Sequence, residues 1–182
     1  MGSLFHGVEV ASIPFMVVIT VGLWLLARPG GSRKWKLAAT AGLASAAVAL
    51  AVNRAIAGLA WHRDRPYQDH AIAHPWSSSS DASFPSDHVS ASFAIAFAVL
   101  SIDPLAGALF LLAAAIIGIG RIFIGAHYPG DVGAGILVGL ASALLVAKLL
   151  RPLISLLVRL AERVTDPILR PLWQRGTRGV SR

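Results

Sequence analysis

The apolar residues of this 182-residue chain gather in blocks close to the roughly 20 residues that carry a helix across a bilayer. About five such blocks run along it, from about Val8 to Ala27, Leu37 to Ala60, Pro85 to Ile102, Pro104 to Gly120 and Val132 to Leu150. Inside hydrocarbon a backbone must satisfy its own hydrogen bonds, so blocks of this length read as helices and the chain as an all-α membrane bundle. A hydrophobic share of 55% and a charged share of 14% agree, being too apolar and too charge-poor for an ordinary soluble domain.

The segments between the blocks carry turn and charge signals. "RPGGSRKWK", with Arg28, Arg33, Lys34 and Lys36, is a basic loop after the first block. Residues Met1 to Gly7 contain no Lys or Arg, so the first block reads as an uncleaved helix rather than a signal peptide. The segment from Trp61 to Ser83, rich in Pro and Ser, reads as a loop outside the hydrocarbon, and "RIFIGAHYPGD" separates the fourth block from the fifth. From Arg151 to Arg182, Leu, Ile and Trp173 mix with Arg, as in an amphipathic segment lying on an anionic membrane surface. The expected organisation is a transmembrane bundle over residues 1–150 and a basic amphipathic cytoplasmic tail over 151–182.

The net charge of +7 follows topology rather than nucleic-acid binding, because most basic residues border apolar segments. The loop after the first block and the region from Lys148 onward share one face, which the positive-inside bias makes cytoplasmic. Arg54, Arg63, Arg65 and Arg121 fall on or near the other side with the two polar loops, so a site there faces away from the cytoplasm. With no cysteine, disulfides and thiolate metal sites are excluded.

Three clusters stand at block ends on that outer side: "RDRP" at Arg63 to Pro66, "PSDH" at Pro85 to His88, and Arg121, His127 and Asp131. Guanidinium groups match phosphate oxygens with paired donors, so Arg63, Arg65 and Arg121 form a cradle for a phosphoryl group that needs no metal or other cofactor. Pro85 suits the first turn of a helix, which would aim the N–H groups of Ser86, Asp87 and His88 at an anion, with the Ser86 hydroxyl as a further donor. Pro129 keeps Tyr128 out of helical conformation, leaving His127 on a loop and Asp131 in the first turn of the fifth block. A carboxylate on one ring nitrogen of His127 leaves the other free to attack phosphorus, and His88 can then serve as general acid and base.

These motifs resemble the type 2 phosphatidic acid phosphatase superfamily. "RPY", "FPSDH", and Arg, five residues, His, three residues, Asp occur in the family's order from Arg63 to Asp131. The resemblance implies His127 as nucleophile, Asp131 as its partner, His88 as acid, and Ser86, Arg65 and Arg121 as phosphate ligands, acting on a lipid phosphate or diphosphate. Gly58 stands where the family commonly has a Lys, seven residues before the motif Arg, so Arg63 takes that place in this reading and Arg54 is the other candidate. Asp87 replaces the usual Gly of the second motif and weakens phosphate binding unless it points away or pairs with an Arg. The same variant, with the "N…GLAWHRDRPY" stretch from Asn53, resembles the bacitracin-resistance branch of undecaprenyl diphosphate phosphatases, implying a polyprenyl diphosphate substrate.

Other polar residues have plainer readings. His6, His62, His70 and His74 lack spacing partners and read as solvated loop histidines. Glu9 reads as an interfacial carboxylate, although an intramembrane carboxylate also marks sites. Ser77 to Ser80 read as a gate or linker, and Gly135 and Gly139 of "GILVG" as internal helix packing. A lipid-phosphate transporter using the same arginines needs no nucleophile, and a soluble vanadium haloperoxidase, which shares the motif, conflicts with the apolar blocks. The oligomeric state is not encoded in any of these features.

Overall fold

The computed structural model describes residues 2–27, 29–30, 32–59, 63–69 and 81–178. Seven helices follow in chain order: α1 (Gly2–Leu26), α2 (Lys34–Leu59), α3 (Pro66–Asp69), α4 (Asp87–Leu100), α5 (Pro104–Phe123), α6 (Pro129–Leu149) and α7 (Arg151–Arg178). Among the described residues no strand occurs, and the fold is a membrane helical bundle.

Three of the expected blocks, now α2, α5 and α6, are long and apolar enough to cross a bilayer unaided. The other two are shorter as apolar helices, Ala11–Leu26 within α1 and Asp87–Leu100 as α4. At 1.5 Å per residue α4 is about 21 Å long, less than a full hydrocarbon crossing. Its position explains how so short a helix is accommodated. Every residue from Val89 to Ala96 is buried, and α2, α5 and α6 surround it. The short helix therefore meets protein where the others meet lipid.

The outer faces are apolar in the helical rhythm. On α5, Leu105, Leu109, Leu112, Ile116, Ile119 and Phe123 recur every three or four residues and are all exposed. A stripe of that size is stable against lipid tails and not against water.

Small residues bring α6 onto α4. A Cβ at Gly139 would sit 2.8 Å from the Ala94 backbone nitrogen and 2.9 Å from the Ser90 carbonyl oxygen. At Gly135 it would meet the Val89 Cβ at 3.0 Å. The two glycines are thus packing positions within one chain, as the sequence suggests.

At the end holding the α4–α5 turn, Asp103 caps α5 by accepting from Ala106 N at 3.1 Å. It also accepts from Trp35 Nε1 at 2.9 Å, tying the start of α2 to that turn. α7 turns Ile154 and Val158 inward, and one and two turns further on Glu162 and Asp166 meet the buried Lys36 at 3.2 and 2.6 Å. A cavity of about 440 Å³ opens at this same end among α2, α4, α6 and α7, with Leu37, Ile102, Ala147 and Arg151 in its wall.

A Gly139→Val substitution forces α4 and α6 apart, with an expected loss of about 1–3 kcal/mol in stability. Thermal unfolding in detergent, beside Gly133→Val at a glycine with open space around it, measures the difference.

Candidate active site

The end of the bundle opposite α7 collects the polar side chains. Four pieces of chain meet there: the segment from Arg63 to α3, the start of α4, the close of α5 with the loop after it, and the start of α6.

The α5–α6 connection fixes two of the predicted residues together. α5 runs on to Phe123, past the expected end at Gly120, so Arg121 stands in its last turn rather than in the loop. Gly125 has φ of +71°, a backbone turn that glycine takes without steric cost, and it reverses the chain. The Arg121 carbonyl then accepts from Ala126 N at 3.1 Å and His127 N at 3.2 Å. Arg121 and His127 are therefore two arms of one closed turn, which gives the five-residue spacing between them a physical reason. Both are 3% exposed.

Asp131 lies three residues after Tyr128, the N-cap of α6, and its Oδ2 accepts from Tyr128 N at 2.8 Å. That reach from the first turn back to the cap is one half of a capping box. Oδ2 also accepts from the Ser83 hydroxyl at 2.6 Å, and Oδ1 from Arg63 Nη1 at 3.0 Å.

The expected His127–Asp131 pair forms differently from the simple picture. Nδ1 of His127 lies 3.8 Å from Asp131 Oδ2, beyond a hydrogen bond, and 2.8 Å from the Ser83 carbonyl oxygen. Donation to that carbonyl fixes the proton on Nδ1, and Asp131 acts one step further out by holding Ser83 through its hydroxyl. The other ring nitrogen, Nε2, is buried with no hydrogen-bond partner among the described residues. Sequence reading missed Ser83, because a serine carbonyl carries no motif. Its place three residues before Ser86 in "SFPS" is the one available clue.

The second motif begins α4 two residues later than expected. Pro85 precedes the helix, Ser86 is its N-cap, and Asp87 and His88 open the first turn. Ser86 N donates to the Asp131 carbonyl at 3.3 Å, joining the first turns of α4 and α6, and its hydroxyl is buried without a partner among the described residues. His88 lies within electrostatic reach of Arg121, His127 and Arg65. Among the described residues Asp87 meets no arginine. Its Oδ1 accepts from Asn53 Nδ2 at 2.7 Å.

The arginines divide. Arg65, 8% exposed, donates from Nε to the Asp81 carbonyl at 3.2 Å and, like Arg121, lies in the field of His127. Arg63, proposed as a phosphate ligand, instead stacks over the Tyr128 ring at 4.0 Å and pairs with Asp131. Its neutralising charge serves the carboxylate. Arg54 is exposed on α2. The side chain of Glu9, and His62, His70, His74 and Ser77 to Ser80, lie outside the described residues.

Burial pushes the pKa of His127 down, the Asp131 carboxylate pulls it up, and Arg121 and Arg65 push it down again. The net direction is downward, so the ring is neutral at neutral pH with Nε2 as a lone-pair donor. Among the described residues no group of three or more His, Cys, Asp or Glu side chains is arranged to hold a metal ion.

At its polar end the membrane bundle gathers a buried imidazole, a buried serine hydroxyl and two buried arginines, donors whose charge and geometry match a phosphoryl group. The chain belongs to the PAP2 superfamily, which its residues 34–154 match. It is 29% identical over 163 residues to undecaprenyl-diphosphatase BcrC of Bacillus subtilis (strain 168), covering 88% of this chain and 81% of that protein. A protein of Bacillus licheniformis described as bacitracin transport permease protein BcrC is 48% identical over 66 residues, 36% of this chain and 32% of its own length. YbjG of Escherichia coli (strain K12) is 31% identical over 137 residues, 72% of this chain and 63% of that protein.

Ser83→Ala frees the Asp131 carboxylate from its support of the His127 loop, with an expected fall in kcat of roughly ten- to a hundredfold on a phosphoryl substrate. With His127 as the attacking group the neutral ring would be the reactive form, and its pKa is lowered. The acid limb of kcat/KM against pH for the wild-type protein is therefore expected below the ordinary histidine value of about 6.5.

Proposed function

We propose that the chain hydrolyses a lipid diphosphate to the monophosphate, with undecaprenyl diphosphate as substrate, through a phosphohistidine intermediate. The observation that carries the reading is the buried Nε2 of His127, which like the Ser86 hydroxyl has no hydrogen-bond partner among the described residues, in the field of Arg121 and Arg65. The name of the B. subtilis relative supports the substrate.

In this mechanism Arg65, Arg121, Ser86 and the first-turn N–H groups of α4 hold the terminal phosphoryl group. Nε2 of His127 attacks its phosphorus, the bond to the bridging oxygen breaks, and His88 protonates that oxygen as the lipid monophosphate leaves. His88, now neutral, takes a proton from water, whose oxygen attacks the phosphohistidine. The P–N bond breaks, orthophosphate departs and the neutral imidazole is restored. Charge stabilisation and positioning come from side chains, as phosphoryl transfer requires little else of a protein.

Topology completes the proposal. Arg33, Lys34, Lys36 and Lys148 lie at the α7 end and continue into a basic α7, so that end faces the cytoplasm and the site faces outward. The basic face of α7 then lies along the anionic inner leaflet, with the helix held to the bundle through Ile154, Val158, Glu162 and Asp166.

A second reading, binding or passage of lipid phosphates without chemistry, draws on the transport name of the B. licheniformis relative. Released phosphate separates the two. Purified protein, with chelator present, is expected to release phosphate from undecaprenyl diphosphate in preference to phosphatidic acid and phosphatidylglycerophosphate. His127→Ala is expected to lose about a thousandfold or more. Preference for a glycerolipid would move the substrate and keep the chemistry, while retained activity in the variant would end the nucleophile assignment.

The chain has no cysteine, so single substitutions report sidedness directly. In intact cells a membrane-impermeant maleimide is expected to label Ser79→Cys and to leave Arg163→Cys unlabelled until the membrane is opened. The reverse pattern would invert the topology.

A further inference from the structure

We propose that Asn53 is a positioning residue that turns the Asp87 carboxylate away from the phosphoryl pocket, and thereby lets an aspartate stand in the second motif. The proposal deepens the phosphoryl-pocket reading and rests on it.

Asn53 is 3% exposed on α2, six residues before the end of the helix at Leu59. Its Nδ2 donates to Asp87 Oδ1 at 2.7 Å and to Ser90 Oγ at 3.0 Å, while the Ser90 hydroxyl lies 3.3 Å from Asn53 Oδ1. Both ends of the amide are engaged, and the orientation has a physical reason. Flipped, the amide would set its oxygen against a carboxylate.

Asp87 and Ser90 are three residues apart in α4 and share the face turned to α2. Ser86 and His88 flank Asp87, and each residue advances about 100° around the helix. One turn therefore gives Ser86 and His88 to the pocket and Asp87 to α2. The division matters because a carboxylate loose at this position would either pair with Arg65 or Arg121 or repel the incoming phosphate.

The choice of an amide follows from the same electrostatics. An arginine holding Asp87 would add a cation that competes for the substrate, whereas Asn53 satisfies the carboxylate and adds no charge. The neighbouring Arg54 is exposed and does not take part in the contact. Asn53, like Ser83, sits outside the three motif clusters.

The test is a double-mutant cycle of Asn53→Leu and Asp87→Gly, read as the Kd of orthophosphate by calorimetry in detergent and as kcat and KM for undecaprenyl diphosphate. Asn53→Leu alone is expected to raise Kd and KM roughly tenfold with little change in kcat. Asp87→Gly removes the carboxylate and keeps the backbone N–H, and its own Kd and KM are the baseline for the double variant. The double variant is expected to match Asp87→Gly, because with the carboxylate gone Asn53 has nothing to restrain.

Equal losses from Asn53→Leu in both backgrounds would overturn the proposal and leave Asn53 a packing residue. If Asn53→Leu is not recovered folded, its recovery by Asp87→Gly supports the proposal and failure in both backgrounds overturns it. Orthophosphate bound by the wild type with no lipid hydrolysed would remove the hydrolase reading, and the Kd cycle would still decide the role of Asn53.

Discussion

The functional end of this bundle depends on how closely α6 can approach α4. Lipid tails are as apolar as leucine, so two helices gain little from hiding their side chains from one another in a membrane. Close association rests on dispersion and on backbones that can touch. Gly135 and Gly139 supply that approach, each at a place where a Cβ would press on α4. The approach carries the first turn of α6 against the first turn of α4, where Ser86 N reaches the Asp131 carbonyl. Both predicted histidines, the serine hydroxyl and the carboxylate that orders them are set by this one helix contact and the loop leading into it.

A carboxylate stands in the first turn of α4 and another in the first turn of α6, and each has a different partner. Asp131 is fully buried and takes Arg63, the Ser83 hydroxyl and the Tyr128 N–H, so its charge is consumed in place. An isolated buried carboxylate is costly, and three donors make this one tolerable. Asp87 sits nearer the edge and takes a neutral amide. The same number of arginines therefore means something different from what a count suggests. Arg63 pairs with Asp131, while Arg65 and Arg121 stand in the electrostatic field of His88 and His127.

Much of this was legible in the residues. Block lengths foretold five helices because hydrocarbon imposes a length, and the structure keeps all five, with ends moved by a few residues. The departures have physical causes. Because α5 carries on through Arg121, that guanidinium is fixed by helix geometry where a loop was expected, and the apolar "IFI" run continuing past Gly120 was the signal. Pro85 was read as the first helical residue from its fixed φ, yet the N-cap position went to Ser86. Ser83 and Asn53 were not assigned roles because each works through an ordinary backbone carbonyl or amide. Only the fold reveals what lies opposite such a group.

The opposite end of the bundle shows what the arginine pocket is not. There Lys36 is also buried, but Glu162 and Asp166 of α7 close on it, Arg33 reaches the same Glu162 at 2.8 Å, and the Trp24 ring lies 5.7 Å from the Lys36 nitrogen. Such a buried pair adds little net stability over a well-packed apolar pair, but breaking one side of it is costly, so it specifies where α7 docks. Cations at that end are answered by carboxylates of the chain itself. At the site end Asp131 is answered by Arg63 and Asp87 by Asn53, while Arg65 and Arg121 lie close to the two histidines. The guanidinium groups of Arg65 and Arg121, set around a neutral imidazole and a buried hydroxyl, match in chemistry a group with several negative oxygens about one tetrahedral centre, which is the physical description of a terminal phosphate.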